Sequence, residues 1–413
     1  MTHLFLAAAL ALSAAQRAQI DTIVGRVMQQ HHVAGLSLGI ARRGRRLYLR
    51  GYGLRDVRDR MFADGYTVYR VGSIAKQFAA AVVLQEAAAG RIALTNAVHR
   101  YLSAGTGDVT IAQLLNQTSG IATQSTADSP QFVFDPGGGW LYSNANYALL
   151  GAVLETVTGE TYPSLLRARI TAPAGLASTA CAASPFAQNR ASGYAWRDRD
   201  WSAVPDEAAL DGHACSTIGL YSNAADVLRW LEDVRTARIV PKPFLAAMFS
   251  SGRLPDGVLT HYGYGFFLTD WYGYDVAEHP GFVEGFSSED ALVRQDGLEI
   301  AVMTNARAVD LTPLLESIVA ILDAPRDAAL AATFGAAPEN ENLRVTAAVR
   351  ELLQTSGFAS YGVLRALEFV SRTLTGGLRS DRYRATFSIG QWWAVVDYRA
   401  NSAIESISLT PIQ

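Results

Sequence analysis

The chain has 413 residues, of which 49% are hydrophobic and 18% charged, and its formal net charge at pH 7 is −3. This is the composition of an ordinary globular protein, and it lacks the basic field that nucleic-acid binding requires. No run of about 20 consecutive apolar residues occurs, so a membrane-spanning helix is not expected. The length favours two or three domains, with ample material for a core.

The N-terminal segment allows two interpretations. An apolar run over residues 4–12 is followed by Ser-Ala-Ala, small residues that a signal peptidase accepts, so residues 1–15 are predicted to be a signal peptide of a periplasmic or secreted protein. No Lys or Arg precedes the apolar run. The alternative is a cytoplasmic protein in which this segment begins an amphipathic helix that continues through Ile20 and Val24.

The middle of the chain combines strand and helix patterns. Residues 35–53 alternate apolar and polar residues around a Gly-centred turn, which predicts a β-hairpin. Residues 75–89 are rich in helix formers and stop at a glycine, a natural C-terminal cap. An Asp-Gly pair divides two apolar runs in residues 290–304 and predicts a second hairpin; residues 311–324 then have the pattern of a helix. Strands at both ends predict a mixed sheet in which the two ends of this region meet.

The character of the sequence changes after the predicted main domain, residues 16–325. Residues 326–342 are Ala-rich and then polar, without a clear period, and are predicted to be a linker. Apolar residues in 345–353 have helical spacing, and residues 383–389 alternate as in a strand. We therefore predict a small C-terminal α+β domain over residues 343–413.

The sequence GSIAKQF places Ser73 at the start of the predicted helix and Lys76 one turn further along the same face. Only Lys76 and Lys242 among the 35 basic residues are lysines, which suggests a role for an amine that can lose its proton, as a guanidinium cannot. An amine beside a hydroxyl can activate it as a nucleophile, and the helix N-terminus adds positive potential. The alternative is that serine and lysine share this spacing by chance.

The sequence PGGGWLYSN supplies a second candidate element. Tyr142 and Asn144 flank a serine, so their side chains share one face if the segment is locally extended. The phenol could relay a proton between Ser73 and a leaving group, and the amide could hold a substrate carbonyl or Lys76. The structural alternative is a turn with a packed aromatic ring.

A third element, EHPGFVEGFSS, contains His279 and precedes the second predicted hairpin. A lone histidine is usually structural. Ser-x-x-Lys, Tyr-Ser-Asn and His-x-Gly, taken in order and separated by about 70 and 135 residues, resemble the serine β-lactamase and penicillin-recognising superfamily. The resemblance is to its class C β-lactamase-like hydrolases, D-alanyl-D-alanine carboxypeptidases, D-aminopeptidases and related esterases. It covers roughly residues 20–325 and includes LLNQTSGI, YALLGAVLETVTG, GLYSNAADVLRWL and YGYGFFL.

The resemblance implies an α+β fold of the β-lactamase/transpeptidase type, with an antiparallel sheet flanked by helices and a helical subdomain. It implies that Ser73 is the acylated nucleophile, Lys76 its activating partner and Tyr142 the general base and acid. The backbone N–H groups of Ser73 and Phe282 would form the oxyanion hole. No metal or organic cofactor is implied, and the partner would be a small-molecule or peptide-like substrate. The implied substrate contacts are Asn144, His279 and Gly281.

Two positions depart from the pattern of this superfamily. Pro280 stands where carboxypeptidases and β-lactamases usually carry a Thr or Ser that binds the substrate carboxylate, which leaves His279 as the only nearby candidate cation. Proline also lacks an N–H, but the amides of residues 280 and 282 point to the same side of a strand, so a proline is tolerable at an open edge. Gln117 stands where relatives commonly have histidine, and the sequence assigns it no role.

The two cysteines, Cys181 and Cys215, are compatible with one disulfide in an oxidising compartment or with two buried thiols. In relatives the corresponding segments border the active-site cleft, so the resemblance makes a bridge between them plausible in an exported protein.

These patterns lead to one main functional hypothesis, a serine hydrolase that works through an acyl-enzyme on an ester or a peptide-like amide. The alternative enzyme is a β-lactamase or a D-alanyl-D-alanine carboxypeptidase. An alternative of another class is a penicillin-type ligand sensor or an inactive binding module with the C-terminal domain as its output. A sensor would become acylated and stay acylated, whereas both enzymes would turn over.

Overall fold

The structure is a computed structural model of the chain. Contacts between residues divide it into two units, Met1–Thr269 with Val276–Leu315 and Asp270–Asp275 with Glu316–Gln413. Residues 1–10 and the predicted linker lie outside the described residues, so the signal peptide, the linker and the domain boundaries remain predictions. The structure describes residues 11–126, 129–182, 186, 188–205, 212–255, 257–271, 273–323, 353, 364–375, 378–387, 390–398 and 404–412.

The strands of the described residues form four sheets. They are β1 (Gly35–Arg42), β2 (Arg45–Asp56), β3 (Met61–Phe62), β4 (Tyr69–Arg70), β5 (Tyr194–Arg197), β6 (Asp200–Ala203), β7 (Tyr221–Ser222), β8 (Phe267–Trp271), β9 (Tyr274–Val283), β10 (Phe286–Val293), β11 (Leu298–Thr304), β12 (Leu364–Thr375), β13 (Leu378–Phe387), β14 (Gly390–Tyr398) and β15 (Ile404–Ile412).

The largest sheet has the strand order β3-β2-β1-β11-β10-β9-β8. Both predicted hairpins are present, as β1–β2 and β10–β11. The antiparallel pairing of β1 with β11, from Leu36 opposite Thr304 to Arg42 opposite Leu298, joins the two ends of this region as predicted. β8 is short, so the far half of β9 extends beyond it and leaves an open edge there.

Helices cover this sheet. They are α1 (Ala14–Gln30), α2 (Ala75–Ala88), α3 (Ile111–Leu115), α4 (Asn144–Thr158), α5 (Tyr162–Leu166), α6 (Ala172–Ala174), α7 (Ala224–Arg235), α8 (Lys242–Met248) and α9 (Thr312–Leu322). No helix among these described elements is long and apolar enough to cross a membrane.

Helix α2 lies at the centre of the main unit, and most of its residues are buried. Its many alanines suit this position, because a helix that is covered on all sides needs small side chains to let its neighbours approach. α4 and α5 pack against α2, and α3 packs against α4. α7 lies on β1, where Gly39 leaves room for Leu228. This unit is therefore an antiparallel sheet flanked by helices with a helical subdomain, as predicted.

The second unit contains the antiparallel sheet β12-β13-β14-β15. The strand predicted from alternation at residues 383–389 corresponds to β13. Tyr383 lies opposite Ala394, and both are buried, so one face of this sheet is covered. The predicted helix at 345–353 lies outside the described residues except for Leu353.

Cys181 and Cys215 form a disulfide with a Cα–Cα distance of 5.4 Å, which confirms the bridged alternative. Cys215 belongs to the 3₁₀ helix Gly212–Ser216. The next residue, Thr217, has a backbone carbonyl that binds Lys76. The bridge therefore links the segment just before Thr217 to Cys181, which lies 34 residues before Cys215 in the chain.

Reduction of this disulfide is expected to lower the free energy of unfolding by roughly 3–4 kcal/mol, the chain-entropy value for a loop of this length. Urea denaturation of matched samples with and without reductant measures the difference. Thiol titration of the denatured, unreduced protein is the check, because two free thiols per chain would exclude the bridge.

Candidate active site

Ser73 lies in a single 3₁₀ turn that leads directly into α2, and its side chain is 5% exposed. The backbone before it is held from two sides. The Val71 N–H donates to the Leu220 carbonyl at 2.9 Å, and the Ser288 hydroxyl donates to the Val71 carbonyl at 2.8 Å. Gly72 has a φ of +52°, in the region that favours glycine. The candidate nucleophile therefore stands on a fixed backbone.

Lys76 is fully buried beside this serine. Its Nζ lies 3.0 Å from Ser73 Oγ, 2.7 Å from Asn144 Oδ1 and 3.1 Å from the Thr217 carbonyl oxygen. Burial lowers the pKa of Lys76 well below its ordinary value. A neutral amine donates only two hydrogen bonds, and Asn144 Oδ1 and the Thr217 carbonyl can only accept. The amine lone pair is then left for the Ser73 hydroxyl, which is the arrangement that a base needs.

Tyr142 packs on the other side of this amine, with Lys76 Nζ 4.8 Å from the ring centroid. Burial raises the pKa of Tyr142 well above its ordinary value, while the neighbouring Ser73 hydroxyl acts in the opposite direction. The Tyr142 hydroxyl itself is buried next to the Ser73 hydroxyl. Tyr142 is therefore a neutral phenol at rest, able to give a proton.

Asn144 is the first residue of α4. Ser143 before it has φ −139° and ψ 124°, an extended conformation. Tyr142 and Asn144 consequently both reach Lys76, which agrees with the shared face predicted for a locally extended segment.

His279 lies in the same cluster but is only 1% exposed. Its Nδ1 lies 2.7 Å from the Pro280 carbonyl oxygen, which can only accept, and its Nε2 lies 3.2 Å from the Tyr262 hydroxyl. Burial, together with the neighbouring Lys76, lowers the pKa of His279 to about 3. Both nitrogens are thus engaged inside the protein, and the lowered pKa opposes the expectation that His279 supplies a cation.

Gly281 and Phe282 bring the open half of β9 against the turn that carries Ser73. A methyl group on Gly281 would lie 2.1 Å from the Val71 carbonyl oxygen, and one on Gly72 would lie 2.7 Å from the Phe282 nitrogen. The Phe282 nitrogen therefore lies close to the backbone just before Ser73.

An aromatic wall closes the site on the side of Tyr142. Phe267 stacks on the Tyr142 ring at a centroid distance of 6.0 Å, and Tyr262 meets it edge-on at 6.2 Å. Trp140 lies 6.2 Å from Phe267. The wall is apolar, and among the described residues no group of His, Cys, Asp and Glu is suited to hold a metal ion.

Sequence reasoning missed two parts of this site. The Thr217 carbonyl that binds Lys76 is a backbone group, and its residue type gives no signal. Gln117 lies under the segment that carries Tyr142 and has a φ of +66°. The departure of Gln117 from the histidine of relatives was the signal that could have drawn attention to it.

Residues 20–319 match the family model described as Beta-lactamase, and the chain belongs to this family. Protein flp of Staphylococcus aureus (strain NCTC 8325 / PS 47) is 31% identical over 169 residues, which cover 35% of this chain and only 34% of that protein. The octameric penicillin-binding protein homologue from Pyrococcus abyssi has a TM-score of 0.66 and 19% identity. The match covers 95% of this chain and 99% of that chain. A D-stereospecific amidohydrolase from Streptomyces sp. has a TM-score of 0.60 and 26% identity. The match covers 74% of this chain and 97% of that chain. The predicted fold class is thereby confirmed.

Proposed function

We propose that the chain is a serine hydrolase that acylates Ser73 and prefers esters or peptide-like amides without a free carboxylate. The observation that carries the proposal is the fully buried Lys76 amine 3.0 Å from Ser73 Oγ. An amine kept neutral by burial is poised to take a hydroxyl proton at neutral pH.

In the acylation step, Ser73 Oγ attacks the substrate carbonyl carbon while Lys76 accepts the Ser73 proton. The carbonyl oxygen becomes an oxyanion between the N–H groups of Ser73 and Phe282. When the tetrahedral intermediate collapses, the bond to the leaving group breaks and Tyr142 gives that group a proton. Tyr142 then recovers a proton from Lys76, so one proton passes from Ser73 to the leaving group. In deacylation, a water molecule gives a proton to Lys76 and attacks the acyl carbonyl carbon. The bond to Ser73 Oγ then breaks and that oxygen regains a proton from Lys76, so the acid is released and Ser73 is restored.

The substrate preference follows from what the third motif lacks. Pro280 carries no hydroxyl, and the neutral His279 carries no charge. Glu278 is buried, and Glu284 pairs with Arg307 at 3.2 Å. A carboxylate on the substrate would therefore gain no charge-assisted hydrogen bond from this motif, a deficit of roughly 10- to 150-fold in kcat/KM.

Likeness to a D-stereospecific amidohydrolase supports peptide-like amides as one substrate class. Short activated esters are the other substrate class. Their leaving groups depart with little protonation, so their hydrolysis depends less on a proton from Tyr142. The disulfide supports a periplasmic or secreted location, since such bonds persist in oxidising compartments.

A substrate panel tests the proposal. We expect p-nitrophenyl acetate or butyrate to be hydrolysed with a higher kcat/KM than nitrocefin or a D-alanyl-D-alanine peptide, with D-aminoacyl p-nitroanilides measured in the same preparation. Ser73→Ala is the control for background hydrolysis. A higher kcat/KM for nitrocefin than for the esters would favour a β-lactamase, and a stoichiometric burst without turnover would favour a ligand sensor.

A further inference from the structure

Gln117 binds the segment that carries Tyr142 and Asn144 at three points. Its side-chain Oε1 accepts from the Ser143 N–H at 3.0 Å and from Asn146 Nδ2 at 2.6 Å. Its backbone carbonyl accepts from the Leu141 N–H at 3.0 Å. Gln117 is itself fully buried. One residue therefore holds the chain immediately before, within and after the pair of residues that contact Lys76.

The N-cap side chain of α4 does not hold this segment in place. Ser143 is the N-cap residue, but its side chain makes no capping hydrogen bond. Residues 140–143 have no regular secondary structure, so no ladder of hydrogen bonds fixes them. A helix start that lacks a cap can fray or shift within its first turn. The Thr123 hydroxyl accepts from the Asn144 N–H at 3.2 Å, and the bonds from Gln117 to Ser143 and Asn146 hold the residues on either side of it.

The geometry requires an acceptor with two lone pairs at this position. The Gln117 Oε1 takes two N–H donors at once, whereas a histidine ring offers one acceptor nitrogen at most. The backbone of Gln117 also lies in the left-handed region, with φ +66°. That conformation turns the Gln117 carbonyl and side chain toward the same segment.

We propose that Gln117 is a positioning residue that sets Tyr142 and Asn144 against Lys76, so that the amine lone pair stays directed at Ser73. This inference rests on the proposed hydrolase function. Loss of the Oε1 acceptor releases the segment and lets both side chains move relative to Lys76. A displacement of about 1 Å from a reactive geometry can lower a rate about 100-fold.

Gln117→Leu tests the inference, since it removes the acceptor with little change in volume. We expect kcat for a p-nitrophenyl ester to fall about 100-fold with KM changed little, because Gln117 touches the catalytic segment and not the substrate. Gln117→Glu keeps an oxygen in the same place and should recover most of the lost kcat. Thermal unfolding of each variant shows whether the fold is kept.

Gln85→Leu is the matched control. Gln85 lies on α2, and its side chain donates to the Ile239 carbonyl at 2.9 Å and the Arg169 carbonyl at 3.3 Å, away from Ser73. It should lower stability without changing kcat. A Gln117→Leu variant that keeps wild-type kcat, or a Gln117→Glu variant that is no better than Gln117→Leu, would overturn the inference.

Labelling of Ser73 by a fluorophosphonate, followed by mass spectrometry, separates this inference from the function on which it rests. An unlabelled wild-type protein would contradict the proposed function. A labelled wild-type protein together with equally fast labelling of Gln117→Leu would contradict the role of Gln117 alone. We expect fast labelling of the wild type and slow labelling of Gln117→Leu.

Discussion

Replacement of Lys76 by arginine is expected to lower kcat/KM by about four orders of magnitude or more, close to the loss in Ser73→Ala. Both residue types are basic, but a guanidinium cannot give up its proton at any working pH and so cannot supply the neutral base that the buried amine provides. The guanidinium is also larger than the amine, and Lys76 is fully buried with its Nζ held between Ser73 Oγ, Asn144 Oδ1 and the Thr217 carbonyl. Ester hydrolysis measured on purified variants, with thermal unfolding to show that they are folded, gives the result.

Lys242→Arg is the control for this exchange. Lys242 is the other lysine of the chain and lies exposed at the start of α8, so the substitution should leave kcat/KM unchanged. Residual activity in Lys76→Arg above about 1% of wild type would contradict the role of a neutral amine.

The role of Lys76 as a neutral base determines whether kcat/KM rises or falls with pH. Protonated Lys76 has no lone pair for Ser73, so kcat/KM should fall as the pH drops through the pKa of the amine. Because burial lowers that pKa, the acid limb should lie well below the ordinary lysine value of about 10.4. His279 should add no inflection near neutrality, since its pKa is about 3.

The sequence was informative where the chemistry is local. Ser73 and Lys76 are three residues apart at a helix start, so helical geometry alone places the amine beside the hydroxyl. The hairpins β1–β2 and β10–β11 also depend on short turns that the residue types reveal. Their joining through β1 and β11 followed from strands at both ends of one region.

Other features depend on contacts between distant residues. The low pKa of His279 results from its burial and from the neighbouring Lys76, neither of which a motif shows. The Thr217 carbonyl binds Lys76 across a sequence separation of 141 residues. No local pattern contains this information.

The strand β12 was not predicted from the sequence, because its pairing is irregular. Its pairing with β13 contains two irregularities, between Leu364 and Ala366 and between Phe369 and Ser371. Each irregularity exchanges the faces of the residues that follow, so a strand with two of them loses a simple alternation of apolar and polar residues. The sequence predicted a strand at β13, where alternation is regular, and not at β12.

Gly281→Ala is expected to lower kcat about 100- to 1,000-fold, the effect of losing one oxyanion-hole donor. The new methyl group would lie 2.1 Å from the Val71 carbonyl oxygen and 2.4 Å from Ser288 Oγ, so either β9 or the turn before Ser73 must move. Movement of either one separates the Phe282 N–H from Ser73. The backbone of Gly281 does not lie in the left-handed region, so the effect should come from space and not from conformational strain.

Gly25→Ala provides the contrast, because no atom other than those of its chain neighbours and its own helix backbone lies within 4 Å of the position that its methyl group would take. It lies inside α1, where alanine is favoured over glycine by up to about 1 kcal/mol, so its activity should be unchanged and its stability equal or higher. Pre-steady-state kinetics with a p-nitrophenyl ester measures acylation and deacylation separately. Gly281→Ala should slow both steps, because each passes through an oxyanion held by the same two N–H groups. If Gly281→Ala kept both rates at the wild-type level, the Phe282 amide could not be an oxyanion donor.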